Sequence, residues 1–381
     1  MDAKQIIKIF EDTAYVRMGG TEAELKCAEY LQQCCAQMGL EANLEPFEVD
    51  MATIQETVFL ADGKEIPCKG YFNAGSGEVE APFYYLRSTD SYSLSQCKGK
   101  IVMIDGYLGY WMYQDLLENG AVGFVTYDGN VNYSDCDIDQ RELRSYVSKG
   151  NKIPGVNINA KSAVALVSGG VQTVKIVLKQ EEYKGQSHNV VLDMPGEIDE
   201  YIVLSAHYDS TSLSQGAYDN MSGSVGLLGS KAYVAAQEDN LKKFAMNINM
   251  DMIGCIMGGF VGHCTAEEAA VKYLEYFASE KGFAISARQS IHSSDSTPFA
   301  DKGVPAVSFA RYAPPATGTI HNSYDTMALM SPEQLKKDID FIAAFAYRMA
   351  NSVRCPISRE IPDNMKEKLD IYLTRKRAPK N

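Results

Sequence analysis

YIVLSAHYDS (201–210), MNINMDMIG (246–254) and VPAVSFA (304–310) are the stretches on which the fold turns. Each is a short apolar run bounded by polar or turn-forming residues, NVVLDM (189–194) is a further run of the same kind, and helical patterns follow most of them. Strands alternating with helices predict an α/β fold with a mostly parallel sheet covered on both faces. Such open sheets bind ligands at the carboxyl ends of their strands, and polar residues collect there in this chain. His207 and Asp209 close the first run, on alternate positions that point the same way. Alone, an HxD strand end reads as well as a pair of solvated polar residues. Asp251 ends the next run, Asp219 sits in GAYDN just ahead of a helix, and His321 lies in the polar loop IHNSYDT. Two imidazoles with two or more carboxylates form a zinc ligand set, and a bridging carboxylate is typical of paired metals. The convergence of four such positions favours a metal site. His188, His263 and His292 lack the strand-end context and read as surface or internally satisfied side chains.

Outward from these runs, residues 21–39 place Leu25, Ala28, Leu31, Cys35 and Met38 at helical spacing behind a Thr21 cap, with Gly39 as the stop. Cys34 and Cys35 within that helix read as small core residues. Ser331-Pro332-Glu333 opens a closing helix that runs to about Ser352. Between about Glu56 and Glu182 the texture changes to short strand-like runs such as KIVMIDG (100–106) and AVGFVTYDG (121–129), separated by turns, which predicts an inserted domain. The organisation expected is therefore a catalytic domain from 1–55 and 183–360, an insert at 56–182, and a basic tail at 361–381 carrying Arg375, Lys376, Arg377 and Lys380. The glycine-rich GSVGLLGSK (223–231) does not fit a nucleotide-binding phosphate loop.

The chain has 381 residues, 45% hydrophobic and 22% charged, an ordinary globular composition long enough for two or three domains. Its 49 acidic and 36 basic residues leave a formal charge of −13, which disfavours nucleic acid and anionic membrane as partners. Nine cysteines without a CxxC pair suggest neither a disulfide framework nor a zinc ribbon. The opening MDAKQIIKIFEDTAYV lacks the basic and apolar regions of a signal peptide, and no apolar run suits a membrane span. A cytoplasmic protein is the expectation.

The motifs together resemble the co-catalytic zinc aminopeptidases of the aminopeptidase Y type, and the resemblance implies a doubly wound α/β catalytic domain with a mostly parallel sheet. YIVLSAHYDS, GAYDNMSG, LLGSKAYV, INMDMIG, STPFADKGVPAV and IHNSYDT occur in that family's order, and residues 20–49 are similar to its amino-terminal helix. In the insert, GKIVMIDG, GAVGFVTYDG and IPGVNIN resemble a protease-associated domain. The resemblance implies that His207, Asp219 and Asp251 hold one zinc, that Asp219 bridges to a second zinc with His321, and that Asp209 orients the His207 imidazole. It also implies hydrolysis at the amino termini of peptides. A glutaminyl cyclase on the same fold is the weaker analogue, because a protease-associated insert favours peptidases.

One departure bears on activity. The family places a helix, a strand and a Glu-Glu pair between its DNxSG and GLLGS motifs, the first glutamate serving as general base and the second completing the second zinc site. Here Gly226 runs directly into Leu227, and no residue matches either glutamate. Glu238 and Asp239 are the only acids between Asp219 and Asp251, and a helix from Ser222 would carry Glu238 about 24 Å away at about 1.5 Å per residue. No catalytic base is therefore assigned, and one well-formed zinc site is expected. The alternative reading is a catalytically silent, metal- or peptide-binding descendant. Loss of a strand-sized segment is also expected to leave an unpaired gap in the sheet or to make its neighbours close up.

Overall fold

The computed structural model describes residues 3–132, 138–194, 196–225, 241–315 and 317–378. They form two compact units, Met1–Phe47 with Gln186–Asn381, and Glu48–Gly185. Both junctions lie inside long strands, Asn43–Ala61 and Thr173–Val191, where the chain makes no turn. NVVLDM likewise closes the strand Thr173–Val191, which belongs to the larger sheet, and adds no strand to the site-bearing one.

The site-bearing unit is built on five strands, β1 (Tyr201–Ser205), β2 (Phe244–Met250), β3 (Gly259–Thr265), β4 (Ser286–Gln289) and β5 (Ala306–Tyr312), in the order β4-β3-β5-β2-β1. Three of the four pairings are parallel, and only β3 runs against β5. The inner strand β2, between β5 and β1, is buried at all seven positions. Its asparagines survive burial because they find polar partners across the ladder. Ser205 donates to Asn249 (3.0 Å), Asn249 donates to Ser308 (2.9 Å), and Asn247 donates to Ser205 (3.0 Å). β1 pairs directly with β2, from Tyr201 against Phe244 to Ser205 against Asn249, so no gap interrupts the described strands.

The amino-terminal helices α1 (Ala3–Asp12) and α2 (Glu22–Gln37) and the helices α3 (Glu268–Glu280), α4 (Ser296–Asp301), α5 (Pro332–Ala350) and α6 (Asp363–Tyr372) complete the unit. α2 begins behind Thr21, whose hydroxyl accepts from the Glu24 N–H, and α5 behind Ser331, which accepts from Gln334. Along α5, Leu335, Phe341, Ile342, Phe345 and Met349 recur at helical spacing and join Phe260, Phe277 and Phe309 in one core. The segment read as a solvated tail is in part structured, because α6 buries Met365 and Leu369 against Ala300 and Ala306, and Arg375 forks onto Asp301.

In Glu48–Gly185, the strands Gly77–Leu86, Ile101–Ile104, Gly123–Asp128 and Gly155–Asn159 pair in parallel in chain order. Ile101, Val102, Phe124, Val125, Tyr113 and Leu116 form their core. Among the described residues, no helix is long and apolar enough to cross a membrane. Residues 226–240, which contain the Gly226–Leu227 junction, the LLGSKAYV stretch, Glu238 and Asp239, lie outside the described residues.

Candidate metal centre

The parallel register of β1 and β2 aligns Ser205 with Asn249, so the residues just beyond, His207 and Asp251, leave the sheet side by side. Asp219 reaches them from the loop ahead of the helical turn Ser222–Ser224. His207 Nε2 lies 3.1 Å from Asp219 Oδ1 and 4.0 Å from Asp251 Oδ1. One donor atom from each of these three residues falls within 4.8 Å of the others, the only such group of three among the described residues. The second oxygen of Asp219 stands 2.8 Å from His321 Nε2. One carboxylate thus faces two imidazoles. On the other side of the His207 ring, Nδ1 is 3.1 Å from Asp209 Oδ1, which selects the tautomer that leaves Nε2 free to ligate.

The charges of the cluster are tightly interdependent. Asp219 and Asp251 are almost fully buried side by side. Burial, helped by the neighbouring Asp219 charge, pushes the Asp251 carboxyl up to about 7. Burial acts on Asp219 in the same direction, but its hydrogen bonds to His207 and His321 outweigh that and hold it well below the usual carboxylate range. Burial also opposes the charged form of His207, and here hydrogen bonds to Asp209 and Asp219 prevail and raise it. Two crowded acids beside the His207 and His321 imidazoles are an environment that a divalent cation would suit. One nitrogen and two carboxylate oxygens suit zinc.

Three side chains left without a role by the sequence hold these loops in place. Arg17 is fully buried, and its guanidinium donates to the carbonyls of Tyr208, Gln215 and Gly216, fastening both ends of the loop from Asp209 to Asp219. Gly216 has φ +58, and a Cβ there would lie 2.8 Å from both the Arg17 guanidinium and the Asp219 carbonyl. Asp325, also fully buried, accepts from the N–H groups of Tyr218 (2.7 Å) and Asp219 (3.1 Å), tying the His321 loop to the Asp219 loop. Asn220 links Asp219 to the strand end of Asp251. Asn220 and Asp325 belong to GAYDN and IHNSYDT, so their motifs were visible, whereas Arg17 lies about 190 residues from its partners and gave no local signal. The other histidines stand apart from the three-residue group. His263 bonds Ser290 and Tyr312, His292 bonds Ser308, the two rings stack at 4.7 Å, and His188 faces Glu24 at 3.9 Å.

The model of peptidase family M28 matches residues 189–228 and 224–346, two segments that meet at the end of the Asp219 motif. The chain is 26% identical to "Aminopeptidase YwaD" of Bacillus subtilis (strain 168) over 408 aligned positions, spanning 93% of this chain and 86% of the relative. Among solved structures, it superposes on a zinc aminopeptidase from Bacillus subtilis with a TM-score of 0.74 at 22% identity, covering 95% of this chain and 99% of that one. An aminopeptidase from Aneurinibacillus sp. strain AM-1 gives a TM-score of 0.70 at 20% identity, with 94% and 96% covered. Motif order, the match over residues 189–346 and the shared fold agree in making the chain similar to peptidase family M28.

Proposed function

We propose that the chain is an aminopeptidase-type zinc hydrolase of peptide amino termini, with its metal held by His207, Asp219 and Asp251 and with His321 on the far oxygen of Asp219. The observation that carries this reading is the Asp219 carboxylate set between two imidazoles beside a second buried acid. Zinc bound there would polarise a scissile carbonyl and lower the pKa of water. Asp209 would keep His207 in its ligating tautomer, and Asp325 and Arg17 would hold the loops at the spacing that ligation needs. The unit Glu48–Gly185 is read as a protease-associated insert, and the setting as cytoplasmic, in keeping with eight free cysteines among the described residues.

Hydrolysis is expected to be impaired. The family match breaks into two segments at residues 224–228, in support of a missing piece between DNMSG and LLGS where the family carries its Glu-Glu pair. The second metal position then keeps two donors against three for the first. Purified protein equilibrated with zinc is expected to hold one tightly bound ion per chain. Two tightly bound ions would show that another residue completes the second position, and none would overturn the reading.

A further inference from the structure

We propose that Asn220 is the positioning residue that sets the separation of Asp219 and Asp251, and through it the affinity of the site for its metal. This inference rests on the functional reading above. The Asn220 side chain is fully buried. Its Nδ2 donates to the carbonyl of Met250 (3.0 Å), and its Oδ1 accepts from the N–H of Met252 (3.0 Å). Met250 and Met252 flank Asp251, so one amide grips the backbone on both sides of that acid while its own backbone continues directly from Asp219. The same Oδ1 accepts from the N–H of Gly223 (2.9 Å), which closes the turn beneath it.

Nothing in the seam is loose. A Cβ on Gly223 would lie 2.3 Å from the Met250 carbonyl oxygen and 2.6 Å from both polar atoms of the Asn220 amide. Next in the chain, Ser222 donates to the carbonyl of Tyr218 (2.8 Å) and accepts from the N–H of Ile253 (3.2 Å), which extends the link by one residue on each side. Met252 adopts φ +60, a left-handed conformation uncommon for a side chain of its kind, and its N–H points at Asn220. A planar amide offers a donor and an acceptor at one fixed spacing. Aspartate lacks the donor and serine lacks the reach.

The grip matters because the acids it joins repel one another. Buried and close, they favour separation whenever no cation lies between them. A support that holds them together before the metal arrives lowers the reorganisation that binding requires, and partners of this kind typically contribute about 10- to 100-fold in metal affinity.

The test compares the parent protein with Asn220→Ala and Asn247→Ala. Asn247 is an equally buried asparagine on β2 whose amide bonds Ser205 and Val203, away from the acids. Zinc affinity is measured by chelator competition, coordination by the visible spectrum of the cobalt-loaded protein, and stability by urea unfolding. Asn220→Ala is expected to weaken zinc by about 10- to 100-fold and to alter the cobalt spectrum under conditions where it is folded. Asn247→Ala is expected to unfold at lower urea while keeping parental affinity and spectrum. If Asn220→Ala does not fold, Gly223→Ala, whose added methyl crowds both the Met250 carbonyl and the Asn220 amide and so disturbs the same grip, is read in the same way. Parental affinity and spectrum in the Asn220 or Gly223 variant, or an equal loss in Asn247→Ala, overturns the positioning role alone. A parent that binds neither zinc nor cobalt overturns the functional reading itself.

Discussion

Asp219 offers its two oxygens to different imidazoles, at 3.1 Å to His207 and 2.8 Å to His321, and no other described carboxylate does this at the site. Removing it takes a ligand from both positions and leaves Asp251 as the only acid in the three-residue group. Asp219→Ala is therefore expected to abolish zinc uptake at neutral pH in a calorimetric titration, and parental uptake would refute the assignment. Arg17 makes a contrasting case, since it touches no ligand directly. Replacing it with methionine would strand the buried carbonyls of Tyr208, Gln215 and Gly216, each at a cost of roughly 1–3 kcal/mol. Arg17→Met is expected to lower unfolding stability by at least about 3 kcal/mol, read from the denaturant midpoint. These two residues also mark how far the sequence could be read. His207, Asp209, Asp219, Asp251 and His321 were legible because strand ends and polar loops advertise such side chains within a few residues. Arg17 was not, because its meaning lies in carbonyls that only the folded chain brings to it.

At the scale of the element, helix caps were equally legible, with Thr21 and Ser331 capping the helices they were expected to cap. Local chemistry fixes a cap. The junctions inside Asn43–Ala61 and Thr173–Val191 were not legible, because a continuous strand carries no punctuation where one core gives way to another. The contact between β3 and the loop ahead of α4 was equally hidden. There His263 and His292 stack, and burial pulls the first down to about 3 and the second to about 4. Unfolded histidines titrate near about 6.5, so below that pH the unfolded chain takes up protons that the folded pair refuses. Their contribution to stability is complete above about pH 6.5 and is lost as pH falls toward 4, about 2 kcal/mol for each ring by pH 5. Buried Glu24 works the other way. Burial raises it to about 7, so its contribution favours the folded state at low pH and is lost as pH rises toward 7. Comparison with His292→Asn cancels the Glu24 effect, because both proteins contain it. Between pH 7 and pH 5, the parent is expected to lose about 2 kcal/mol more stability than the variant in urea unfolding. Equal losses would mean that His292 titrates normally in the folded protein.

Over the whole molecule, the proposed reading combines a metal site with the absence of a general base, and the two together set the activity to be expected. A positioned general base is worth typically about 10²- to 10⁴-fold in rate, or roughly 3–5 kcal/mol of barrier. An incomplete second metal position removes further activation of carbonyl and water. Four of the described carboxylates near the site have assigned contacts, and Asp295 adds its charge beside Asp251. Asp219 and Asp251 face the metal position, Asp209 orients His207, and Asp325 accepts from backbone N–H groups. The parent chain is therefore expected to be nearly inactive on aminoacyl chromogenic substrates, even with added zinc. Insertion of a family-type helix, strand and Glu-Glu segment between Gly226 and Leu227 is expected to supply a base and a third donor for the second position at once. Zinc content should rise from one ion per chain to two, together with measurable hydrolysis. The same insert with its first glutamate changed to glutamine separates these effects, because two ions without turnover would assign catalysis to the base itself. Ordinary aminopeptidase turnover by the unmodified chain would show that a base is supplied from elsewhere, and would defeat this account of the Gly226–Leu227 junction.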